Sequence, residues 1–272
     1  MPTIVITPPR RFSLPKVSEL WEAREVLYRF GARDVTLRYR QTLLGVVWVV
    51  LQPLLTALVF ALVFGRVAKL SSGGVPYLVF SFVGLLAWNL FSGIISRAQG
   101  SLVSNRDLVS KVFFPRMLVP LATIYSCLVD FVVSTAFLIV LLIIYGINPG
   151  AAVVLSPIWA MMIILLASGV GLVTSALTVR YRDVGYFVPF LLQFLLYASP
   201  IAYSISNVPA KYRVIYDINP LTWLLQEFQW SFLHQPTPQL WEIAGSIVVP
   251  IAVFLGGALL FEQMERSFAD LI

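Results

Sequence analysis

The stretch SPIAYSISNVPAKYRVIYDINPLTWLLQEFQWSFL, residues 199–233, is aromatic and apolar, yet prolines cut it and charges interrupt it. It is too greasy for a solvated loop and too broken to cross a bilayer, whose hydrocarbon core, about 30 Å thick, takes about 20 consecutive apolar residues in a helix. Asn219-Pro220 reads as a helix start, with Asn as the cap and Pro in the first turn, where its missing N–H costs nothing. Leu221, Leu224, Leu225, Phe228 and Phe232 follow at helical spacing until Pro236. At 1.5 Å per residue such a helix reaches only about 21 Å. It must lie in the interface or dip in and return. Non-helical backbone at membrane depth is tolerated only under a cover of protein or beside a wet cavity, so residues 207–233 are expected to form a re-entrant hairpin lining something wet.

The rest of the chain is organised around that exception. Of its 272 residues 59% are hydrophobic and 12% charged, with a mean hydropathy of +0.87, whereas a soluble domain carries roughly 25% charged residues. Apolar runs at 44–65, 77–96, 118–146, 157–179, 187–206 and 243–261 predict six transmembrane helices in one domain, residues 44–262, of an all-α polytopic membrane protein. No segment shows the alternation of a membrane β-barrel. Placing residues 1–43 and the tail 263–272 in the cytosol puts fifteen of the nineteen Lys and Arg inside, as the positive-inside rule requires. The net charge of +6 is then explained by an anionic lipid surface, without a nucleic-acid partner.

Two cytosolic pieces look amphipathic. Residues 17–31, VSELWEAREVLYRFG, are expected to form an interface helix with Trp21 and Tyr28 at headgroup depth and a stop at Gly31. Between the second and third spans, residues 98–117 have the spacing of a short cytosolic helix, with Asn105 as its cap and Asp107 in its first turn. A solvated, lipid-anchoring connector and a docking element for a partner are both compatible with that pattern.

The motifs of soluble catalysis are missing. There is no GxxxxGK[ST], GxSxG or HExxH, and one histidine, His234, cannot supply the usual two-histidine metal site. Cys127 is alone, which excludes an intrachain disulfide. On the outer side Asp217 and Glu227 are the only candidates for an acid pair of a lipid-linked glycosyltransferase. No metal site and no catalytic site are expected in this chain.

What remains is polarity inside the spans. Gly45, Trp48, Gln52 and Thr56 share one face of the first helix; Ser81, Trp88, Ser92 and Ser96 share one of the second; Tyr186, Phe190, Gln193 and Tyr197 share one of the fifth. Small residues there suit helix packing. Trp and Gln at mid-depth need a partner or water, and aromatic faces with amides and hydroxyls suit a sugar chain. Asp130, with Ser126 and Ser134 a turn to either side, is the acid well inside a span. An intramembrane carboxylate points to function by default. It fits either a hydrogen-bonded structural role or proton coupling in an ion-driven secondary transporter, although no basic partner in another span is evident and the two halves do not mirror each other as such transporters do.

Four segments in order, LWEAREVLYRFGARDVTLRYRQTLLGVVWVVLQPLL, NRDLVSKVFFPRMLVPLATI, RYRDVGYFVPFLLQFLLYASPIAYS and NPLTWLLQEFQ, resemble the polysaccharide-exporting ABC-2 permeases. That group includes O-antigen (Wzm-like), teichoic acid (TarG-like) and capsule exporters, and the likeness runs from about residue 17 to 262. It implies a homodimer in the bacterial cytoplasmic membrane, joined to two copies of a separate nucleotide-binding ATPase that binds ATP and Mg; the chain itself would need no cofactor. It implies that Trp21 and Glu25 on the N-terminal helix, with Asn105, Arg106, Asp107, Leu108 and Lys111, dock the ATPase. The substrate implied is a polysaccharide on a polyprenyl diphosphate, whose diphosphate Arg33, Arg38 and Arg40 would meet, unless those arginines only anchor headgroups. On this resemblance Trp48, Gln52, Trp88, Phe190, Gln193 and Tyr197 would line the path, and Tyr203, Asn219, Pro220, Trp223 and Phe228 would close its outer end.

Overall fold

The computed structural model describes residues 21–40, 45–112, 114–265 and 268. Ten α-helices order the described chain: α1 Arg24–Tyr39, α2 Val47–Phe60 running into a π-helical end Ala61–Val67, α3 Tyr77–Ser104, α4 Arg106–Lys111, α5 Leu118–Ile144, α6 Ser156–Arg180, α7 Val184–Ala198, α8 Ala210–Asp217, α9 Pro220–Leu233 and α10 Leu240–Glu265. Among the described residues five stretches are long and apolar enough to cross a membrane: Val47–Val67, Tyr77–Ser104, Leu118–Ile144, Ala151–Arg180, which includes the 3-10 turn before α6, and Leu240–Glu265. The shorter α7 is the sixth apolar helix.

α3 is the hub. Most of its apolar window is buried, 78% against 17–39% for the other four spans, because α2, α5, α6, α7 and α9 all pack on it. Phe80, Phe82, Ile94, Ile95 and Leu102 along its length are almost fully shielded. The largest core cluster surrounds its first two-thirds, and a second joins Phe30 of α1, Leu102 of α3, Val109 of α4, Val119 of α5, Leu172 of α6 and Phe261 of α10 at the end nearest α1. That second cluster seats α1 and α4 on the bundle.

Several helix boundaries differ from those expected. The second span does not stop at residue 96: α3 continues to Ser104, since Arg97-Ala-Gln-Gly-Ser-Leu contains nothing that forbids helix and Ala98, Gln99, Ser101 and Leu102 are buried by neighbouring helices. The helix expected over 98–117 is therefore only the six residues of α4. The fifth span begins earlier and ends at Ala198 instead of residue 206; Pro200 disfavours helical backbone in the residue before it, and Ser199 is extended, at φ −110° and ψ 152°. The N-terminal helix does not end at Gly31 but continues to Tyr39. Gly31 is a packing residue, for a Cβ there would lie 2.5 Å from Cγ of Tyr125 on α5. Residues 17–20 of the expected interface helix, residue 44 at the expected start of the first span, and most of the tail 263–272 lie outside the described residues.

The hairpin at 207–233 is two helices, as its prolines suggest. Asn219 caps α9, its Oδ1 accepting from the Leu221 N–H at 3.1 Å, and Pro220 takes the first position. His234 closes α9 in the left-handed conformation, φ 50°. α9 does not lie on the surface, however. It packs on α3, α6 and α10, with Leu224, Leu225, Glu227, Phe228 and Ser231 fully shielded. The exposed member of the hairpin is α8, which presents Val214 and Ile215.

Candidate functional site

Asp130 stands on α5 at the level where the end of α1 crosses it. The extension of α3 past residue 96 brings Arg97 opposite, on a face otherwise made of small residues (Gly93, Ser96, Gly100, Ser101) that leave room for the guanidinium. Arg97 forms an ion pair through Nη2 with Asp130 Oδ2 and donates from Nη1 to Ser126 Oγ at 2.6 Å. From α1, Arg38 reaches the same carboxylate with both ends of its fork, Nη2 to Oδ2 at 2.9 Å and Nε to Oδ1 at 3.2 Å. The Tyr39 hydroxyl donates to Oδ1 as well. Two guanidiniums and a phenol thus converge on one carboxylate, and charge-assisted bonds of this kind are the stronger ones.

The expectation that Asp130 has no basic partner in another span is thereby corrected. Arg97 lies 33 residues away in sequence, one residue beyond the expected end of the second span, where it reads as a lipid anchor. The signal that marks it is the small-residue face continuing past residue 96 with helical spacing. Burial, reinforced by the neighbouring Asp130 carboxylate, pushes the Tyr39 hydroxyl up to about 12, so it stays protonated and remains a donor.

This cluster faces open space. A cavity of about 400 Å³ is lined by Arg38, Trp48, Gln52, Asn89, Arg97 and Asp130, among others. Arg38, Ser96 and Arg97 also line a second cavity of about 790 Å³, which Arg33, Ser104 and Asn105 bound on its other side. Arg33 donates to Asn105 Oδ1 at 2.8 Å and to Asp34 Oδ1 at 3.0 Å. Asn105 in turn donates to the Ser101 carbonyl at 2.8 Å and makes no side-chain cap on α4, contrary to the role expected of it. α1 and α4 are in this way tied to one point at the end of α3. Glu25 on α1, Trp21 just before it, and Arg106, Asp107, Leu108 and Lys111 on α4 are all exposed, while Val109 anchors α4 inward. Glu25 pairs with Arg29 at 2.8 Å, both well exposed, and Arg24 stacks over Trp21.

The other expected site residues distribute unevenly. Trp48 and Gln52 line the smaller cavity. Trp88 does not; it is buried in the core beside Phe91, with ring centroids 5.9 Å apart, because α9 and the other helices enclose that part of α3. Phe190, Gln193 and Tyr197 lie on the open face of α7 with Tyr186 and Phe194, away from both cavities. Arg40 is exposed and borders neither cavity.

At the opposite end of α3, Tyr203 and Tyr216 share a hydrogen bond at 2.7 Å, and Tyr203 also donates to the Tyr197 carbonyl at 3.1 Å. Burial, then the bond to Tyr216, raises the Tyr203 hydroxyl well above its ordinary range. Asn219 donates to Ser199 Oγ at 3.3 Å, joining α9 to the end of α7. Trp223 stacks edge-on to Trp241 of α10, and Phe228 fills the space between Phe131 and Phe232. These contacts fix α9 within the chain. Glu227 is fully buried on that helix facing Ser246 of α10, and no group of three or more metal-ligating side chains occurs among the described residues.

A family model described as "ABC-2 type transporter" matches residues 26–233, from α1 to the end of α9. The O-antigen export system permease protein RfbA of Myxococcus xanthus is 29% identical over 258 residues, 94% of this chain and 98% of that protein. A protein of the same name from Klebsiella pneumoniae is 26% identical over 246 residues, 88% and 92% of the two chains. The polysialic acid transport protein KpsM of Escherichia coli is 26% identical over 202 residues, 71% of this chain and 76% of that one.

Proposed function

We propose, from the premise that this chain belongs to the ABC-2 type transporter family, that it is the permease subunit of an ATP-driven exporter moving a polyprenyl-diphosphate-linked polysaccharide across the bacterial cytoplasmic membrane. It is a multi-pass membrane protein of the kind that exports O-antigen and related polysaccharides. The observation that carries the finer reading is the near-complete coverage of relatives named as O-antigen export permeases, joined to a cavity lined by arginine, tryptophan and amide groups among the helices.

In this reading two copies of the chain form the path and two copies of a separate ATPase bind ATP and Mg. The N-terminus and the α3–α5 connection face the cytosol. Docking falls to the exposed residues of α1 and α4, and the Arg33–Asn105 bond supplies a mechanical route from that surface to α3. Arg33 and Arg38 are placed beside the cavities, where Arg suits a diphosphate; the exposed Arg40 serves as a headgroup anchor. The exposed aromatic faces of α2 and α7 provide polymer contacts between the two copies.

An ion-coupled transporter using Asp130 is disfavoured by the two arginines already bound to that carboxylate, since a proton carrier must give up its charge. The test is reconstitution. Export of lipid-linked polysaccharide by proteoliposomes should require both the chain and its ATPase together with ATP, and export driven by a proton gradient in the absence of any nucleotide-binding partner would overturn the reading.

A further inference from the structure

We propose that Arg97 and Arg38 form an exchangeable anion site for the phosphate-bearing head of the substrate, with Asp130 as the internal counter-ion that a diphosphate displaces. The inference rests on the export reading above and adds to it a residue, Arg97, and an order of events.

The geometry differs from that of a purely structural ion pair. A structural pair inside a bundle is enclosed by packing atoms, but this one looks into a cavity of about 400 Å³ that shares three lining residues with a larger one. The size is that of ordinary small-ligand sites. The two arginines also differ from the acid in access: the side chains of Arg38 and Arg97 are 43% and 24% exposed, and that of Asp130 is 18% exposed. The donors are therefore more exposed than the acceptor that satisfies them.

Charge points the same way. Two guanidiniums on one carboxylate leave a local excess of one positive charge, while Arg33, which also lines the adjoining cavity, is already paired with Asp34. A diphosphate presents more charge and more acceptor oxygens than a carboxylate, and planar guanidinium forks match phosphate oxygens well. On exchange Asp130 keeps the Tyr39 hydroxyl, a donor that needs no positive charge. Because Arg38 belongs to α1, its release from Asp130 removes one of the ties between α1 and α5. Arrival of the head group is thereby communicated to the surface that carries Trp21 and Glu25.

The test is calorimetric titration of the purified full-length protein with farnesyl diphosphate, using farnesol as the control for the lipid part. Wild-type protein should bind the diphosphate and not farnesol. Asp130→Asn, which frees the arginines of their competitor, should bind it more tightly. The triple variant Arg38→Met/Arg97→Met/Asp130→Met replaces the whole charged cluster by apolar side chains, a change that buried ionic triads can tolerate; it should keep its melting temperature and bind at least about tenfold more weakly than wild type, the loss expected for charge-assisted hydrogen bonds.

Unchanged affinity in the folded triple variant overturns the site, as does equal or weaker binding by folded Asp130→Asn. If Asp130→Asn does not fold, the triple variant alone decides. Equal binding of farnesol shows recognition of the lipid chain and also overturns the proposal. A wild-type protein that exports polysaccharide but binds no farnesyl diphosphate refutes the anion site and leaves the export reading standing; a wild-type complex that exports none refutes that reading itself.

Discussion

Adjacent glycines in α10 should respond in opposite ways to the same substitution. A Cβ at Gly257 would stand 2.3 Å from the Gly169 carbonyl oxygen and 2.9 Å from its carbonyl carbon, and a Cβ at Gly169 would meet the Val253 oxygen at 2.6 Å. Both obstacles are backbone, so no side chain can swing aside. Restoring ordinary contact requires α6 and α10 to part by about an ångström along their crossing, and overpacking of that kind costs about 1–3 kcal/mol. A Cβ at Gly256 would meet nothing within 4 Å, and Ala is preferred over Gly in a helix by about 1 kcal/mol. At about 2–4 °C per kcal/mol for a chain of this size, Gly257→Ala should lower the melting temperature in detergent by about 2–12 °C, while Gly256→Ala leaves it unchanged or raises it. Tryptophan fluorescence or gel filtration after heating reads both variants. An equal fall in the two, or a Gly257→Ala protein as stable as wild type, would refute the close crossing of α6 and α10.

Phe30→Ala should empty the seat of α1 at a cost of about 3–5 kcal/mol and expose α1 to protease while the buried parts of α3 stay protected. Asp107→Lys together with Leu108→Asp, both outward on α4, should reduce copurification of the ATPase by at least about tenfold, equivalent to about 1.4 kcal/mol, without changing the melting temperature; full retention of the partner would remove α4 from the docking surface. In a Cys127→Ser background, Ile215→Cys on exposed α8 should react with a membrane-impermeant maleimide, and Phe228→Cys on buried α9 should not. Rapid labelling at 228 in folded protein would show that α9 leaves its seat.

The sequence resolves those elements whose ends carry strong local signals. The third and fourth spans, read as 118–146 and 157–179, are Leu118–Ile144 and Ser156–Arg180, for each is a long apolar run bounded by polar or turn residues. α9 begins at the expected Asn-Pro cap because that signal is a property of two adjacent residues. Boundaries that depend on polarity alone are less legible. Arg97 and Gln99 suggest an exit from the hydrocarbon, yet α3 continues, since neighbouring helices supply the cover that lipid cannot. Hydropathy likewise runs on through Ser199-Pro200, although backbone sterics end α7 there.

The candidate site divides in the same way. Asp130 is conspicuous in sequence as an acid inside a span, and Trp48 and Gln52 as polar or aromatic residues at mid-depth. Their partners are not conspicuous, because Arg38, Tyr39 and Arg97 reach Asp130 only through the packing of α1 and α3 on α5. Trp88 shows the converse failure. It shares a helical face with Ser92 and Ser96, but Ser92 and Ser96 line the cavity while the indole is enclosed in the core. Periodicity identifies a face, and only the neighbouring helices determine how far along it the cavity extends.

Export itself is tested most directly in cells that make the polymer but lack this chain. With the partner ATPase and the synthetic enzymes intact, lipid-linked polysaccharide should accumulate on the cytosolic side and disappear from the surface, and expression of the wild-type chain should restore it. Surface polysaccharide at wild-type levels in the deletion strain, with no internal accumulation, would contradict the assignment.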